Sequence, residues 1–329
     1  MGALDCFVAE SVIGPATSGR TRWLPAMTRL CKAAPLVRNV LSPLILITAV
    51  LNGLMTGAVY ALVALGLTLI YGVLHIINFA HGAILSAALF AAFLAYQKLG
   101  LDPYLAAFLI APAFFAFGYA LQRFVIGPAS HGDDRNMLLV TLGLAVIIEN
   151  ALLYTFRADT RTIDLAYGFK SIDIGFTFLS LPRLISFAAV FVVALALWLI
   201  MALTDTGKAI RAVAKEKLGA ELAGIDVAHI YAMTFGLGTA CVAIAACLLI
   251  PIYYVNPKAG DAFVLVAFTI VVLGGMGSVP GAVIGGLVIG VVESLAGFYF
   301  GESLGQVGIF LIFIVVLLVR PRGLFGATA

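Results

Sequence analysis

From Asn39 to Gln97 the chain reads NVLSPLILITAVLNGLMTGAVYALVALGLTLIYGVLHIINFAHGAILSAALFAAFLAYQ, 59 consecutive residues without an Asp, Glu, Lys or Arg. As helix, at about 1.5 Å per residue, this run reaches about 88 Å, nearly three times the roughly 30 Å of a bilayer's hydrocarbon core. The rest of the 329 residues repeats the pattern: 63% are apolar and 11% charged, with a mean hydropathy of +1.14. Soluble domains carry about a quarter of their residues as charges, so too little charge is present to coat a water-facing surface. Further charge-free stretches run over 103–122, 184–204, 230–257, 262–292 and 303–319. Lipid satisfies no free backbone groups, and nothing here alternates like the strands of a barrel. The fold class is all-α, a polytopic integral membrane protein.

Polar residues interrupt the first run at His75–Gly82, where Asn78 and His81 stand beside Gly82, so a helix break is expected there. Orientation follows from Lys and Arg outside the spans, which resist translocation. If the tail 1–42, the loops 123–135 and 204–229 and the end after Val319 share the cytosolic side, that side holds 13 Lys and Arg against 6 on the other: Lys98, Arg157, Arg161, Lys170, Arg183 and Lys258. Both termini are then cytoplasmic. Parity then requires residues 39–97 to cross an odd number of times, and the whole to have about 8–10 transmembrane or re-entrant helices. Gly274-Gly275-Met276-Gly277-Ser278-Val279-Pro280-Gly281 hinges an inward–outward pair, 262–276 and 281–298. The domains are a basic tail, 1–42, which is either cytosolic or an over-extended start, and one membrane domain over 43–326. The tail lacks the continuous apolar run of a signal peptide. Cys6, Cys31, Cys241 and Cys247 have no metal spacing and read as small hydrophobes.

The loop 204–229 differs from its surroundings. Ile210, Ala214, Leu218, Leu222 and Ile225 recur at near-helical spacing, while Lys208, Arg211, Lys215, Glu216 and Glu221 fall largely on other faces. Asp205 or Thr206 can cap its start, and Gly224 suits a left-handed end. An amphipathic helix of about four turns fits a groove on a partner or the headgroup layer. Gly207-Lys208 does not end a phosphate loop, which needs a glycine where Ala202 stands. With no paired His-Glu metal motif and no Ser/His pair, the chain reads as no enzyme and as holding no cofactor.

The run Asn52–Gly72, NGLMTGAVYALVALGLTLIYG, followed by Ile77-Asn78-Phe79-Ala80-His81-Gly82, resembles the first spans of the LivH-type permeases of branched-chain amino-acid ABC importers. The resemblance continues through Gly207, Ala209, Arg211, Ala212, Gly224 and Ile225, then Gly274–Gly281, Gly285, Gly286, Glu293 and the terminal Arg320–Phe325, covering about residues 43–326. It implies a translocation subunit in a bacterial inner membrane, paired with a LivM-type permease. Two cytosolic ABC ATPases would bind ATP and Mg, and an extracytoplasmic binding protein would deliver substrate. The 204–229 helix would then be the coupling helix, with Gly207, Ile210, Arg211, Ala212, Leu218, Gly224 and Ile225 at the ATPase.

Asn78, His81 and Gly82 are candidate pathway residues, or they satisfy a helix break. His75 and His81, six apart, do not share a helical face for a metal. Glu149 and Glu293 are carboxylates within apolar segments, which are functional suspects and able to meet a substrate ammonium, or else to pair with protein donors such as Asn150. Gly53 with Gly57, Gly281 with Gly285 and Gly286 with Gly290 form small-residue faces for packing or gating. Gly274, Gly275, Gly277 and Pro280 belong to the hinge. Ile172, Ile174, Phe176 and Phe178 alternate as a short surface strand, in a loop that by family analogy docks the binding protein. Two rival readings remain: a permease for urea or short amides, and an autonomous secondary transporter. The family's sugar branch shows an Asp-Leu-Ser-like signature where this chain has Asn78-Phe79-Ala80, which argues against sugars.

Overall fold

A computed structural model describes residues 43–130, 134–165, 167–168, 170–173, 175, 177–320 and 323–325. The tail 1–42, with Cys6 and Cys31, lies outside the described residues. By compactness the chain divides after Ile47. The described part of the first unit, 43–47, is the opening turn of a helix, and everything below concerns the unit from Thr48 onward.

Nine apolar helices are described. They are α1 (Pro43–Leu74), α2 (Ala80–Leu99), α3 (Pro103–Ala120), α4 (Asp134–Phe156), α5 (Leu181–Leu203), and, after two short polar helices, α8 (Val227–Leu249), α9 (Ala259–Gly274), α10 (Val279–Phe300) and α11 (Glu302–Val319). Seven are long and apolar enough to cross a membrane, and α9 and α11 are shorter. The protein is a multi-pass membrane protein.

The core is built around α1, α2 and α8, whose most apolar stretches are 83%, 61% and 78% buried, against 17% for α3 and α4. Leu62, Leu65, Ile84, Leu89, Phe90 and Phe235 are its large, fully enclosed side chains. Cys241 and Cys247 are free and buried in α8. α3 continues through a π-helical segment, Leu121–Ile126, that closes with Gly127 donating to the Gln122 carbonyl five residues back. Pro128 explains the widening, because its ring would collide with the carbonyl four residues earlier in a regular helix.

The break in the first run falls at 75–79, within the expected stretch. Residues 39–97 are expected to cross three times, or once with a re-entrant or broken helix; their described part forms two helices, α1 and α2. α1 runs antiparallel to α10: Ser294 donates to the Ala49 carbonyl at 2.7 Å, while Gly72 meets Gly277. Its Leu74 end, with His75, lines a cleft against Val213, Glu216 and Lys217, on the 204–229 face. α2 then runs away from that face to its far end, where the Tyr96 hydroxyl donates to the Asp164 carbonyl. Charge-free length alone does not reveal that α1 is 32 residues long, or that α2 starts inside the bundle.

Two local expectations also change. The single strand over 172–178 is a hairpin, Ser171–Asp173 paired with Phe178–Ser180, with Ile172 opposite Leu179. Asp173 Oδ1 accepts from Gly175 N at 2.8 Å, and Gly175 at φ +86° reverses the chain. Ile174 and Phe176 lie outside the described residues. The single amphipathic helix is two, α6 (Asp205–Lys215) and α7 (Lys217–Leu222), separated by Glu216 in extended conformation.

Candidate functional site

At the break, Asn78 and His81 are almost wholly enclosed, 3% and 0% exposed. Asn78 Oδ1 accepts from the Ala80 amide at 3.0 Å, closing the start of α2. His81 Nε2 lies 3.0 Å from the Val63 carbonyl, so this nitrogen carries the hydrogen and donates. That bond fixes the start of α2 at the middle of α1. Among the described residues, Asn78 Nδ2 and His81 Nδ1 have no hydrogen-bond partner. Gly82 faces the start of α9: a Cβ on it would stand 2.8 Å from the Gly260 carbonyl, and the Gly260 amide donates to Ser86 Oγ at 2.9 Å. Two helices thus begin side by side at mid-bundle. Irregular backbone at such depth is tolerated only inside protein or along a water-lined cavity, and half-helix starts of this kind hold ligands in transport proteins.

The carboxylates take different partners. Tyr60 on α1 donates to Glu293 Oε1 on α10 at 3.2 Å. Glu149 on α4 interacts electrostatically with Asp261 at the start of α9, and Lys258 contributes to the same field. Asn150 instead donates to the Val146 carbonyl of its own helix. Glu149 is part-exposed and Asp261 exposed, although Asp261 follows the Gly260 that packs on Gly82. A charged group costs at least about 2.5 kcal/mol at the centre of lipid, so this face is not simply a lipid-facing one.

On the other face, Thr204 rather than Asp205 or Thr206 caps α6, accepting from the Gly207 amide at 3.0 Å. Gly207 is required by the approach of α5: a Cβ there would stand 2.5 Å from the Ile200 carbonyl. Arg211 donates to the Met201 carbonyl, satisfying the end of α5. Ile210 and Val213 are enclosed, 0% and 3% exposed, whereas Leu218 and Leu222 stand out at 63% and 82%. The expected stripe is therefore split: Ile210 belongs to the bundle and Leu218 and Leu222 to the surface, with Ala212 exposed and Ile225 half-buried. Gly224 ends the segment at φ +84°, and Ile225 N donates to the Ala220 carbonyl. Asp226 caps α8, and the His229 amide beside it holds its carboxyl below the usual range. In the far loop, burial and then the bond to Asp102 push the Tyr167 phenol up.

The family model "Branched-chain amino acid transport system / permease component" matches residues 49–319. The chain belongs to this permease family. The permease BraD of Pseudomonas aeruginosa, a high-affinity branched-chain amino acid transport system protein, is 35% identical over 84% of this chain and 94% of its own length. LivH of Escherichia coli is 32% identical over the same shares. A probable LivH of Methanocaldococcus jannaschii is 29% identical over 80% and 88%. The chain is thus a transport permease, not a member of an enzyme family.

Within this permease, glycines bring α1 and α10 together. A Cβ on Gly57 would stand 2.5 Å from the Gly286 carbonyl, and one on Gly53 2.7 Å from Val291 Cα. The hinge between α9 and α10 needs glycine at Gly275 and Gly277, at φ +97° and +87°. There Gly274 packs on Gly281, Ser278 caps α10 and Pro280 stands in its first turn. Leu324 and Phe325 donate to the carbonyls of Leu273 and Gly274, so the described C-terminal residues share the 204–229 face. Sequence reasoning missed Tyr60, Lys258 and Asp261. Tyr60 gives no signal of its own, and Asp261 becomes notable only when folding sets it beside Glu149, 112 residues earlier.

Proposed function

We propose that this permease is one of two translocation subunits of an ATP-driven inner-membrane importer for branched-chain amino acids. It pairs with a LivM-type permease, receives substrate from an extracytoplasmic binding protein, and is driven by two cytosolic ATPases that bind ATP and Mg. Leu218 and Leu222 carry the reading. They are exposed leucines on a short helix whose neighbour α6 is anchored to the bundle by Ile210 and Val213. Such a surface seats in an apolar groove, and a push on it passes through α6 to α5 and α8. The 204–229 face and the C-terminal end are then cytoplasmic. Leaving aside the tail, that face has eight Lys and Arg against six, a weak bias, so docking rather than charge decides the orientation. The Ala49 end of α1 falls on the opposite side, which reverses the expectation for the N-terminal end of the membrane domain.

The path is placed along the face bearing Glu149, Lys258 and Asp261, where the half-helix starts at His81–Gly82 and Gly260 meet, with Glu293 supporting α1 through Tyr60. Specificity among leucine, isoleucine, valine, urea and amides belongs largely to the binding protein. The test replaces Leu218 and Leu222 by Asp. The variant inserts normally but loses the ATPases on purification. Full ATPase stoichiometry in the double variant refutes docking. The rival secondary transporter is favoured by the paired carboxylates Glu149 and Asp261, and uptake without any ATPase subunit would establish it.

A further inference from the structure

Beneath α7, away from the path proposed above, is a cavity of about 430 Å³, within the size range of small-molecule sites. Its walls are the end of α1, the π-helical segment, the start of α4, α7 and the start of α8. Five polar residues line it: Gln122 and Arg123 from the π-helical segment, Lys217 and Glu221 from α7, and Tyr231 from α8. The opposing lining is apolar, with Leu74, Ile76, Met137 and Val227.

Two observations bear on what the cavity can hold. Gln122 is 2% exposed and among the described residues its Oε1 has no hydrogen-bond donor, a deficit that costs about 1–3 kcal/mol when left unfilled. Arg123 reaches Asp226 only at 3.8 Å, too long for a hydrogen bond, so its planar fork of donors is not spent on that carboxylate. The site therefore offers cations for a carboxylate, an anion and an orphaned carbonyl for an ammonium, and an aliphatic wall. A nucleotide would meet Glu221 with its phosphates and the aliphatic wall with nothing to match its polar atoms. A neutral sugar would leave the charged groups unanswered.

We propose that this cavity binds a free aliphatic amino acid from the cytoplasm and that occupancy holds the permease at rest. The carboxylate lies on Arg123 and Lys217, the ammonium on Glu221 and Gln122 Oε1, and the side chain on Leu74 and Met137. Such a ligand ties α7 to the π-helical segment. Motion of the docking helices that parts these walls must first release it, so the ligand favours the resting state by its differential affinity. The same lining residues Leu74, Ile76, Gln122 and Met137 also border a smaller void that reaches Asn78, which connects occupancy to the helix break. The proposal rests on the importer reading and on a cytoplasmic 204–229 face.

The experiment uses the full complex in proteoliposomes with the ATPases outward and the binding protein and leucine sealed inside. Millimolar leucine added outside is expected to lower ATP hydrolysis roughly fivefold or more. Gln122→Leu and Arg123→Ala are expected to keep the uninhibited rate and lose the inhibition. An unchanged wild-type rate, or equal inhibition in both variants, overturns the proposal. A second arm measures equilibrium binding of radiolabelled leucine to the purified complex without binding protein. Absence of wild-type binding, as when an ATPase side chain fills the cavity, or equal binding in wild type and both variants, overturns it there too. If sealed binding protein fails to stimulate hydrolysis at all, the importer reading fails, and the binding arm alone decides the cavity.

Discussion

His81 shows what one side chain contributes at the break. Its single bond to the Val63 carbonyl holds the start of α2 against the middle of α1, inside a fully enclosed site. Hydrogen bonds between membrane helices contribute about 0.6 kcal/mol on average and up to about 1.7, and truncation adds a cavity. His81→Ala is expected to destabilise the purified permease by about 1–3 kcal/mol, and His81→Gln to recover part of it. Equal melting temperatures for wild type and His81→Ala would remove this role. Glu149 and Asp261 make a different case, since neither is enclosed. Glu149→Gln and Asp261→Asn are each expected to slow uptake about tenfold, or about 1.4 kcal/mol of barrier, with assembly unchanged. Full uptake by both variants would move the path to another face. The sequence marks Asn78, His81, Gly82 and Glu149, because polar groups in an apolar run are visible one at a time. Pairings such as Glu149 with Asp261 or Tyr60 with Glu293 exist only once distant helices meet.

Helix contacts in this molecule are set by missing side chains as much as by present ones. Along α1 and α10 the glycines remove the bulk that would hold the axes apart, as close packing in lipid requires. A Cβ on Gly286 would stand 2.5 Å from Ala61 Cβ, so Gly286→Val forces the helices apart at a cost of about 1–3 kcal/mol. Gly143 on α4 has nothing within 4 Å of the same position. Gly143→Ala is therefore expected to be neutral or stabilising by up to about 1 kcal/mol. Folded yield and melting temperature of the two variants check the contrast, and a Gly286→Val protein as stable as wild type would mean that the interface is slack. The glycine spacing that carries this contact is readable directly. The division of α6 from α7 is not, because Lys215-Glu216-Lys217 consists of good helix formers. Tertiary packing decides there, burying Ile210, Val213 and Ala220 while Leu218 and Leu222 remain outside.

At the scale of the bundle, the sequence marks the apolar stretches but neither how 39–97 divides nor the direction of its first helix. Counting Lys and Arg treats the basic tail as a vote for its own side, and the parity argument then asks 39–97 for three passages, or for one with a re-entrant or broken helix. Packing gives two helices there: α1 is antiparallel to α10 from Ala49 to Gly72, and α2 starts inside the bundle and runs away from the 204–229 face. The direction of the whole molecule can be read by single-cysteine labelling with a membrane-impermeant reagent. Lys215 lies beside the α1 end that faces the docking segment, and Lys170 lies in the far loop, bonded through its backbone to Tyr167 and Leu181. Lys215→Cys is expected to react only from the cytoplasmic side and Lys170→Cys only from outside. Reaction of both from one side would break the antiparallel order of α5, which joins their two faces. Reversed labelling would keep the fold but turn it over, leaving α7 with no ATPase to meet and the cavity beneath it with no cytoplasmic amino acid to bind.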